Sequence, residues 1–266
     1  MVELAARRGV HTLGLSDHDT IAGLPEAFDA GARLGVTVVP GVEFSTRHEY
    51  DRHFVGIHIL GYFFDPRHPA LQEVVRQVQA ARVEQKVRQI EKLQSLGFDI
   101  SVEEVFAHLS GVPGRPHIAA VLMARYPGRF ASVQQVFDEY LGVGKQAHVG
   151  RTFALTVAEA VALIREAGGL PVLAHPAAYG PQVDVSLLVR NAVSVGVEGV
   201  EVYYPYPRLK DGGRAVAQIE AMARRYRLWM TGGSDFHGRP NDPASLGEMG
   251  MATSAFESLR TGWVRR

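Results

Sequence analysis

Six side chains in this sequence combine the donor types that metal-assisted hydrolysis needs: His18, Glu43, His58, His175, Asp235 and His237. The imidazoles and carboxylates, in a chain without cysteine, suit borderline or hard divalent ions such as Mn²⁺, Fe²⁺, Zn²⁺ or Mg²⁺. A carboxylate such as Glu43 can bridge two ions, and ions about 3.5 to 4 Å apart suit hydrolysis by an activated water. In Asp235-Phe236-His237 the first and third side chains lie on the same side of an extended segment, so both can face one cavity. Any one of the six, taken alone, reads equally well as a core residue or a cap. Together they do not, because the sequence pattern sets them at strand ends of a single sheet.

The elements that must position them follow from periodicity. Val10 to Leu15 is a short apolar run of the kind that forms a buried parallel strand, and it breaks off into Ser16-Asp17-His18-Asp19-Thr20 before an amphipathic helix over Ala22 to Leu34. The carboxyl end of such a strand faces the ligand crevice of an α/β fold. A second strand is expected at Val36 to Val39 with Glu43 just beyond it, and a third over His53 to Phe64 with His58 inside it. From 65 to 150 the character changes to helices without intervening strands, beginning with one long polar pattern over Pro69 to Leu96. Ser101 with Glu104, and Ser132 with Gln135, mark helix starts by capping-box spacing. Alternation then resumes: a helix from Thr156, the strand Leu170 to Ala174, a helix near Val185, the strand Gly199 to Tyr203, a helix from Gly213 to Tyr226 and the strand Leu228 to Thr231. His175 follows the first of these strands and Gly233-Ser234-Asp235-Phe236-His237 the last, while Glu201 lies inside the middle one. The division expected is a barrel from 1–64 and 151–266 with a helical cap insertion, 65–150, over its mouth.

Bulk composition narrows the function class. Lys+Arg and Asp+Glu are both 28, so no overall basic field holds a long nucleic acid nonspecifically. Hydrophobic residues at 46% and charged residues at 21% are an ordinary globular composition and suggest neither disorder nor fibre. No apolar stretch approaches the length of about 18 residues a membrane span needs, and Met1 to Arg8 lacks the apolar centre of a signal peptide. The cytoplasm is the expected location, with no membrane and no stable protein partner.

The ordered motifs Ser16-Asp17-His18-Asp19-Thr20, Pro40-Gly41-Val42-Glu43, Ile57-His58-Ile59-Leu60-Gly61, Ala174-His175-Pro176 and Gly233-Ser234-Asp235-Phe236-His237 resemble the PHP (polymerase and histidinol phosphatase) family. The similarity is greatest to its nucleoside 3′,5′-bisphosphate phosphatases and 5′-to-3′ exoribonucleases, whose insertion Gly114-Arg115-Pro116-His117-Ile118-Ala119 and Tyr140-Leu141-Gly142-Val143-Gly144-Lys145 also resemble. The resemblance implies a distorted (β/α)₇ PHP barrel holding two to three divalent ions, Mn²⁺ foremost, with Mg²⁺, Fe²⁺ or Zn²⁺ also fitting. It implies that His18 and His237 help hold one ion, His58 and His175 a second and Asp235 a third, with Glu43 bridging, and that His18, Glu43 and Asp235 carry the catalytic centre. Arg115, His117 and Lys145 would meet a substrate phosphate; Asp17 and Asp19 would orient His18. His11, His48, His68 and His108 are read as solvated or structural, and His53 competes with His58 for the third-strand position.

The same resemblance implies a metal-dependent phosphoesterase acting on nucleotides, such as nucleoside 3′,5′-bisphosphates, or on short RNA 5′ ends through a metal-activated hydroxide. Two alternatives share the motifs: a phosphatase of small metabolites of the histidinol-phosphate type, and a catalytically impaired nucleotide-binding protein. The second arises because relatives open on a strand with a His-x-His pair and a following Asp, whereas Val2 to Gly9 here matches the helix after it. The first strand is therefore expected to be missing.

Overall fold

The structure, a computed structural model, describes residues 1–107, 111, 114–180, 182–206, 212–238 and 244–264. In chain order its elements are α1 (Val2–Arg7), β1 (Thr12–Leu15), α2 (Leu24–Leu34), β2 (Thr37–Ser45), β3 (His58–Tyr62), α3 (Pro69–Ser95), α4 (Val102–Phe106), α5 (Arg115–Arg125), α6 (Val133–Val136), α7 (Val157–Glu166), β4 (Leu170–Leu173), α8 (Val185–Ser194), β5 (Gly199–Tyr203), α9 (Gly212–Tyr226), β6 (Trp229–Gly232) and α10 (Thr253–Val264). They form two compact units, one of residues Met1–Val75 with Leu155–Arg266, the other Arg76–Ala154.

The first unit is a six-stranded mixed sheet in the order β1-β2-β3-β4-β5-β6, clothed by helices. β1 and β2 are parallel, as are β4, β5 and β6, whereas β3 runs antiparallel to both neighbours. The reversal follows from the link between β2 and β3. It is a loop with a 3₁₀ turn at Tyr50–Arg52 and a Glu49–Phe54 bridge, without the crossover helix that usually makes a parallel return. Its core includes Val42, Phe44 and Ile59 from the sheet with Val161 and Ile164 of α7.

Three sequence expectations are corrected. β2 extends to Ser45, so Glu43 lies within the strand and pairs with Leu60 of β3. The third strand begins at His58, not His53, because His53 sits at φ 58° at the end of the 3₁₀ turn and directs the chain away from extended geometry. α10 was not anticipated, although Leu259 and Trp263, four residues apart, pack beside Leu170 and Val172.

The second unit is helical and has its own core, in which Ile90 and Leu93 of α3 meet Phe98, Ile118, Leu122, Phe130 and Leu141. The expected caps are present: Ser101 Oγ accepts from Glu104 N–H and Glu104 returns the bond to Ser101 N–H, while Ser132 Oγ accepts from Gln135 N–H. No helix among the described residues is long and apolar enough to cross a membrane.

Candidate metal centre

The strand ends of the first unit bring three imidazoles around one carboxylate. β1 delivers His18 three residues past its end. There the loop continues pairing beside β2, with Glu43 N–H donating to Asp17 O at 3.1 Å and Asp19 N–H to Glu43 O at 2.9 Å. Gly41 permits that closeness: a Cβ there would lie 2.6 Å from Leu15 O. Because β3 is antiparallel, its first residue, His58, falls opposite Ser45, at the edge where the parallel strands end. β4 is followed by Ala174 and His175, and Ala174 N–H donates to His58 O at 3.2 Å.

Glu43 is buried, 5% exposed, and divides its oxygens between two sides. Oε2 lies 3.5 Å from His18 Nδ1, while Oε1 lies 2.6 Å from His58 Nδ1 and 3.2 Å from His175 Nε2. His18 also stands 5.1 Å from His58 and 5.6 Å from His237, centroid to centroid, and His58 stands 5.5 Å from His175. Donor atoms of His18, Glu43 and His58 all lie within 4.8 Å of one another. Donors sharing an ion with bonds of about 2.1 Å are themselves roughly 3 to 3.5 Å apart, so this cluster fits a divalent cation without rearranging its backbone.

Electrostatics point the same way. Burial would raise the Glu43 carboxyl, yet the hydrogen bond from His175, the charge of His18 and the bond and charge of His58 hold it well below the usual range. Burial would lower His175, but its bond to Glu43 and the charges of Glu43, Glu201 and Asp235 push it up to about 9. Glu201 is raised to about 7, chiefly by burial and further by Glu43 and Asp235, against the lowering charge and backbone N–H of His175. Acids crowded so closely favour a cation in their midst, be it a proton on His175 or a metal ion. His175 Nδ1, buried with no hydrogen-bond partner, adds a polar atom that the protein leaves unsatisfied.

Asp235 and His237 extend the cluster past β6. Asp235 Oδ1 is 3.6 Å from His237 Nδ1, and Tyr204 donates its hydroxyl to Asp235 Oδ2 at 3.2 Å. A cavity of about 480 Å³ reaches this edge, lined by Leu15, His18, Glu43, His175, Asp235 and His237 among others. Among the described residues neither β1 nor β6 pairs a further strand on its outer edge.

The sequence reading gives Asp19 a part in orienting His18, and it misses Tyr179 and the contact made by Glu201. Asp19 is buried, and its Oδ1 accepts Ser45 N–H at 2.9 Å, tying the His18 loop to β2. Tyr179 accepts His58 N–H at 2.9 Å and donates to Ala174 O at 3.1 Å, which fixes the two backbones carrying His58 and His175. Glu201 accepts the N–H of His175 at 3.0 Å. The phosphate-binding candidates all lie in the second unit. Arg115 opens α5 with its guanidinium 5.5 Å from the Phe137 ring centroid, His117 Nδ1 accepts Gly114 N–H at 2.9 Å, and Lys145 is exposed. His48 pairs with the Tyr50 hydroxyl at 3.1 Å, and His108 lies outside the described residues.

No protein-family model matches the chain. Curated relatives do. It is 32% identical over 269 residues to a 5′-3′ exoribonuclease of Haemophilus influenzae, covering 100% of this chain and 92% of that protein. It is 33% identical to a phosphoribosyl 1,2-cyclic phosphate 1,2-diphosphodiesterase of Eggerthella lenta, over 90% of this chain and 87% of the other. A 3′,5′-nucleoside bisphosphate phosphatase of Chromobacterium violaceum is 31% identical over 89% and 80%. The chain belongs to the PHP family. Among solved structures, a protein of Bifidobacterium adolescentis assigned as a metal-dependent phosphoesterase superposes with a TM-score of 0.82 at 27% identity, covering 98% of this chain and 88% of the other. A PHP chain with this donor set is a metal-dependent phosphoric ester hydrolase, and its mixed sheet with flanking helices is the architecture it shares with that structure.

Proposed function

We propose that the protein hydrolyses phosphate esters carried on ribose, in nucleoside 3′,5′-bisphosphates or at short RNA 5′ ends, with Mn²⁺ as its foremost ion. The observation that carries this is the division of Glu43, with Oε2 toward His18 and Oε1 toward His58 and His175, which suits a carboxylate bridging two ions. On this reading His18 and His237 serve one ion, His58 and His175 the second, and Asp235 takes part in a third position. Ions bound there supply Lewis-acid polarisation of the phosphoryl oxygens and lower the pKa of water. The chain's own residues hold that arrangement: Tyr204 orients Asp235, Tyr179 and Glu201 fix His58 and His175, and Asp19 braces the His18 loop. His18, Glu43 and Asp235 form its catalytic centre. Arg115, His117 and Lys145 are assigned to a second phosphate of the substrate, with Arg115 foremost because a guanidinium meets phosphate oxygens in pairs. The six described strands are read, in the same proposal, as part of a distorted (β/α)₇ barrel.

The choice of ribose phosphates follows from the relatives, whose names all describe bonds between phosphate and ribose or ribonucleotides. The test is phosphate or nucleotide release by purified, Mn²⁺-loaded protein from adenosine 3′,5′-bisphosphate, 5′-phosphorylated oligoribonucleotides, phosphoribosyl 1,2-cyclic phosphate and histidinol phosphate. Turnover of the first two supports the reading. Preference for histidinol phosphate, or binding of nucleotide with no turnover of any substrate, overturns it.

A further inference from the structure

The loop between β2 and β3 holds an aromatic ring out to solvent at the sheet edge that carries the metal centre. It leaves β2 after Ser45, in the strand that bears Glu43, and returns at His58, so both of its ends belong to ligand-bearing strands. Its sequence Arg47-His48-Glu49-Tyr50-Asp51-Arg52-His53 sets that ring among basic side chains. Tyr50 is 66% exposed, the most of any large hydrophobic side chain among the described residues. The loop beneath it is nevertheless tied down along its length. Thr46 donates its N–H and its hydroxyl to Ile57 O at 3.1 and 2.7 Å, and Arg47 N–H donates to Leu155 O at 2.8 Å. Glu49 and Phe54 exchange backbone bonds, and the Glu49 carboxylate accepts the N–H of Val157, first residue of α7, at 2.9 Å. Asn191 of α8 donates to Arg52 O at 2.9 Å, and Phe54 is fully buried. The His48 ring stands edge-on to Tyr50 at 5.7 Å, with a hydrogen bond of 3.1 Å between His48 Nδ1 and the Tyr50 hydroxyl.

A loop fixed in this way has surrendered its freedom before a ligand arrives, so a planar partner that covers the ring has little left to order. The charges in the same segment are Arg47 and Arg52 against Asp51, all exposed, because the Glu49 carboxylate is engaged by Val157; Arg47 also acts on Glu159. An aromatic face flanked by guanidinium groups suits the two halves of a nucleotide, a base that stacks and phosphates that pair. We propose that Tyr50 is a stacking platform for a base of single-stranded RNA whose 5′ end lies at the metal centre, with Arg52 and Arg47 meeting backbone phosphates. RNA is named on the strength of the phosphoester reading above; the exposed ring and its rigid loop do not depend on it. A strand is chosen over a mononucleotide because guanidinium groups on both sides of the ring in sequence ask for phosphates on both sides of the stacked base. Every base has a face to stack, so the platform is tolerant of sequence.

The experiment uses the full chain as wild type, Tyr50→Ala, Tyr50→Phe and Tyr50→Trp. Fluorescence anisotropy on chelator-treated protein, which leaves the RNA uncut, measures affinity for a labelled, 5′-phosphorylated short oligoribonucleotide and for the same chain made abasic. Loss of one stacked base costs about 5- to 150-fold, so Tyr50→Ala should bind the oligoribonucleotide more weakly by that much. Tyr50→Phe keeps the ring and should stay within about threefold of wild type, and the abasic chain should bind all of them alike. In Tyr50→Trp, indole emission should respond to the oligoribonucleotide and not to the abasic chain, beyond the response of wild type. With Mn²⁺, Tyr50→Ala should lower kcat/KM for the oligoribonucleotide and leave that for p-nitrophenyl phosphate unchanged. Affinity of Tyr50→Ala within about twofold of wild type, an equal loss on the abasic chain, or no binding of RNA by wild type would each overturn the platform. If RNA is bound with this dependence on Tyr50 and no phosphoester is turned over, the hydrolytic reading fails and the platform stands. A lowered melting temperature of Tyr50→Ala with equal losses on every ligand would show the ring to be structural and would overturn it too.

Discussion

Glu43→Gln is the sharpest probe of the metal centre, because it keeps the shape and polar atoms of the residue and removes only its charge. That charge faces three imidazoles at 2.6 to 3.5 Å inside a buried site. In the ion-free protein it helps push His175 up to about 9 from the ordinary 6.5. At about 1.4 kcal/mol per tenfold, that gap amounts to roughly 3 kcal/mol at most, shared among Glu43, Glu201 and Asp235. A raised imidazole contributes stability that is fully present below pH 6.5 and lost as pH rises through about 9. Chelator-treated wild type should therefore lose stability between pH 6.5 and 9, and Glu43→Gln should be flatter across that window. A metal ion must displace the same proton, so Mn²⁺ affinity of the wild type should rise with pH there. Removing one partner of a buried charge cluster typically costs about 3 to 5 kcal/mol, which predicts a loss of roughly 10²- to 10⁴-fold in Mn²⁺ affinity. Calorimetric Mn²⁺ titration from pH 6 to 9.5, with thermal melts of the chelated proteins, measures both. Affinity within threefold of wild type, with the same pH slope, would refute the assignment of Glu43 as the shared ligand.

Gly41→Ala places a Cβ 2.6 Å from the Leu15 carbonyl, and overpacking of this kind should destabilise by about 1 to 3 kcal/mol and lower Mn²⁺ occupancy together; a normal melt would show that β1 and β2 can part cheaply. Asp19→Ala leaves the buried loop without its bond to Ser45 N–H and should cost about 1 to 3 kcal/mol, read by denaturant unfolding. Lys86 titrates near 7 when folded and at 10.5 when unfolded, so the unfolded chain binds more protons between those values and wild-type stability should rise with pH relative to Lys86→Met, by at most about 5 kcal/mol. Parallel stability profiles for the two proteins would refute the buried amine.

The sequence carried the sheet strands well where apolar runs were short and bounded, as at Leu170 to Leu173, all four buried, because burial on both faces leaves little alternative. It misjudged the ends of β2 and β3. Glu43 looked like a loop residue, since composition does not record that a carboxylate inside a strand can face a cavity instead of the core. His58 seemed internal to a strand because His53 to Ile57 is apolar enough to extend it, and the left-handed residues His53 and Gly56 stop the strand short. The donors were legible because their residue types are rare and their spacing regular. Their supports were not: Tyr179 and Tyr204 act through hydroxyl bonds that reach across 121 and 31 residues of chain, which no local pattern announces. Lys86 was hidden for a different reason, since a lysine in a polar helix pattern reads as solvated until tertiary packing buries it.

Three residues of the metal centre, Asp19, His175 and Asp235, hold left-handed φ angles of 56°, 25° and 53° without being glycine. Each such residue costs about 1 to 3 kcal/mol and persists only where neighbours enforce it. The neighbours are identifiable: Ser45 N–H and Glu43 O for Asp19, the Glu201 carboxylate for His175, and the Tyr204 hydroxyl for Asp235. Glu201 thus has a positioning task separable from its charge. At pH 7 its carboxyl, raised to about 7, is only half ionised, so Glu201→Gln removes little charge and retains an oxygen for the His175 N–H. Glu201→Ala removes both and frees His175 to relax toward ordinary φ. Loss of a group that orients a ligand typically costs about 10- to 100-fold in metal affinity, so the alanine variant should fall in that range while the glutamine variant stays within a fewfold of wild type. Below pH 7, where more of the wild-type carboxyl is protonated, the glutamine variant should lie closer still to wild type. Equal losses in the two variants would mean that Glu201 acts through its charge alone and that the strained backbone at His175 holds itself.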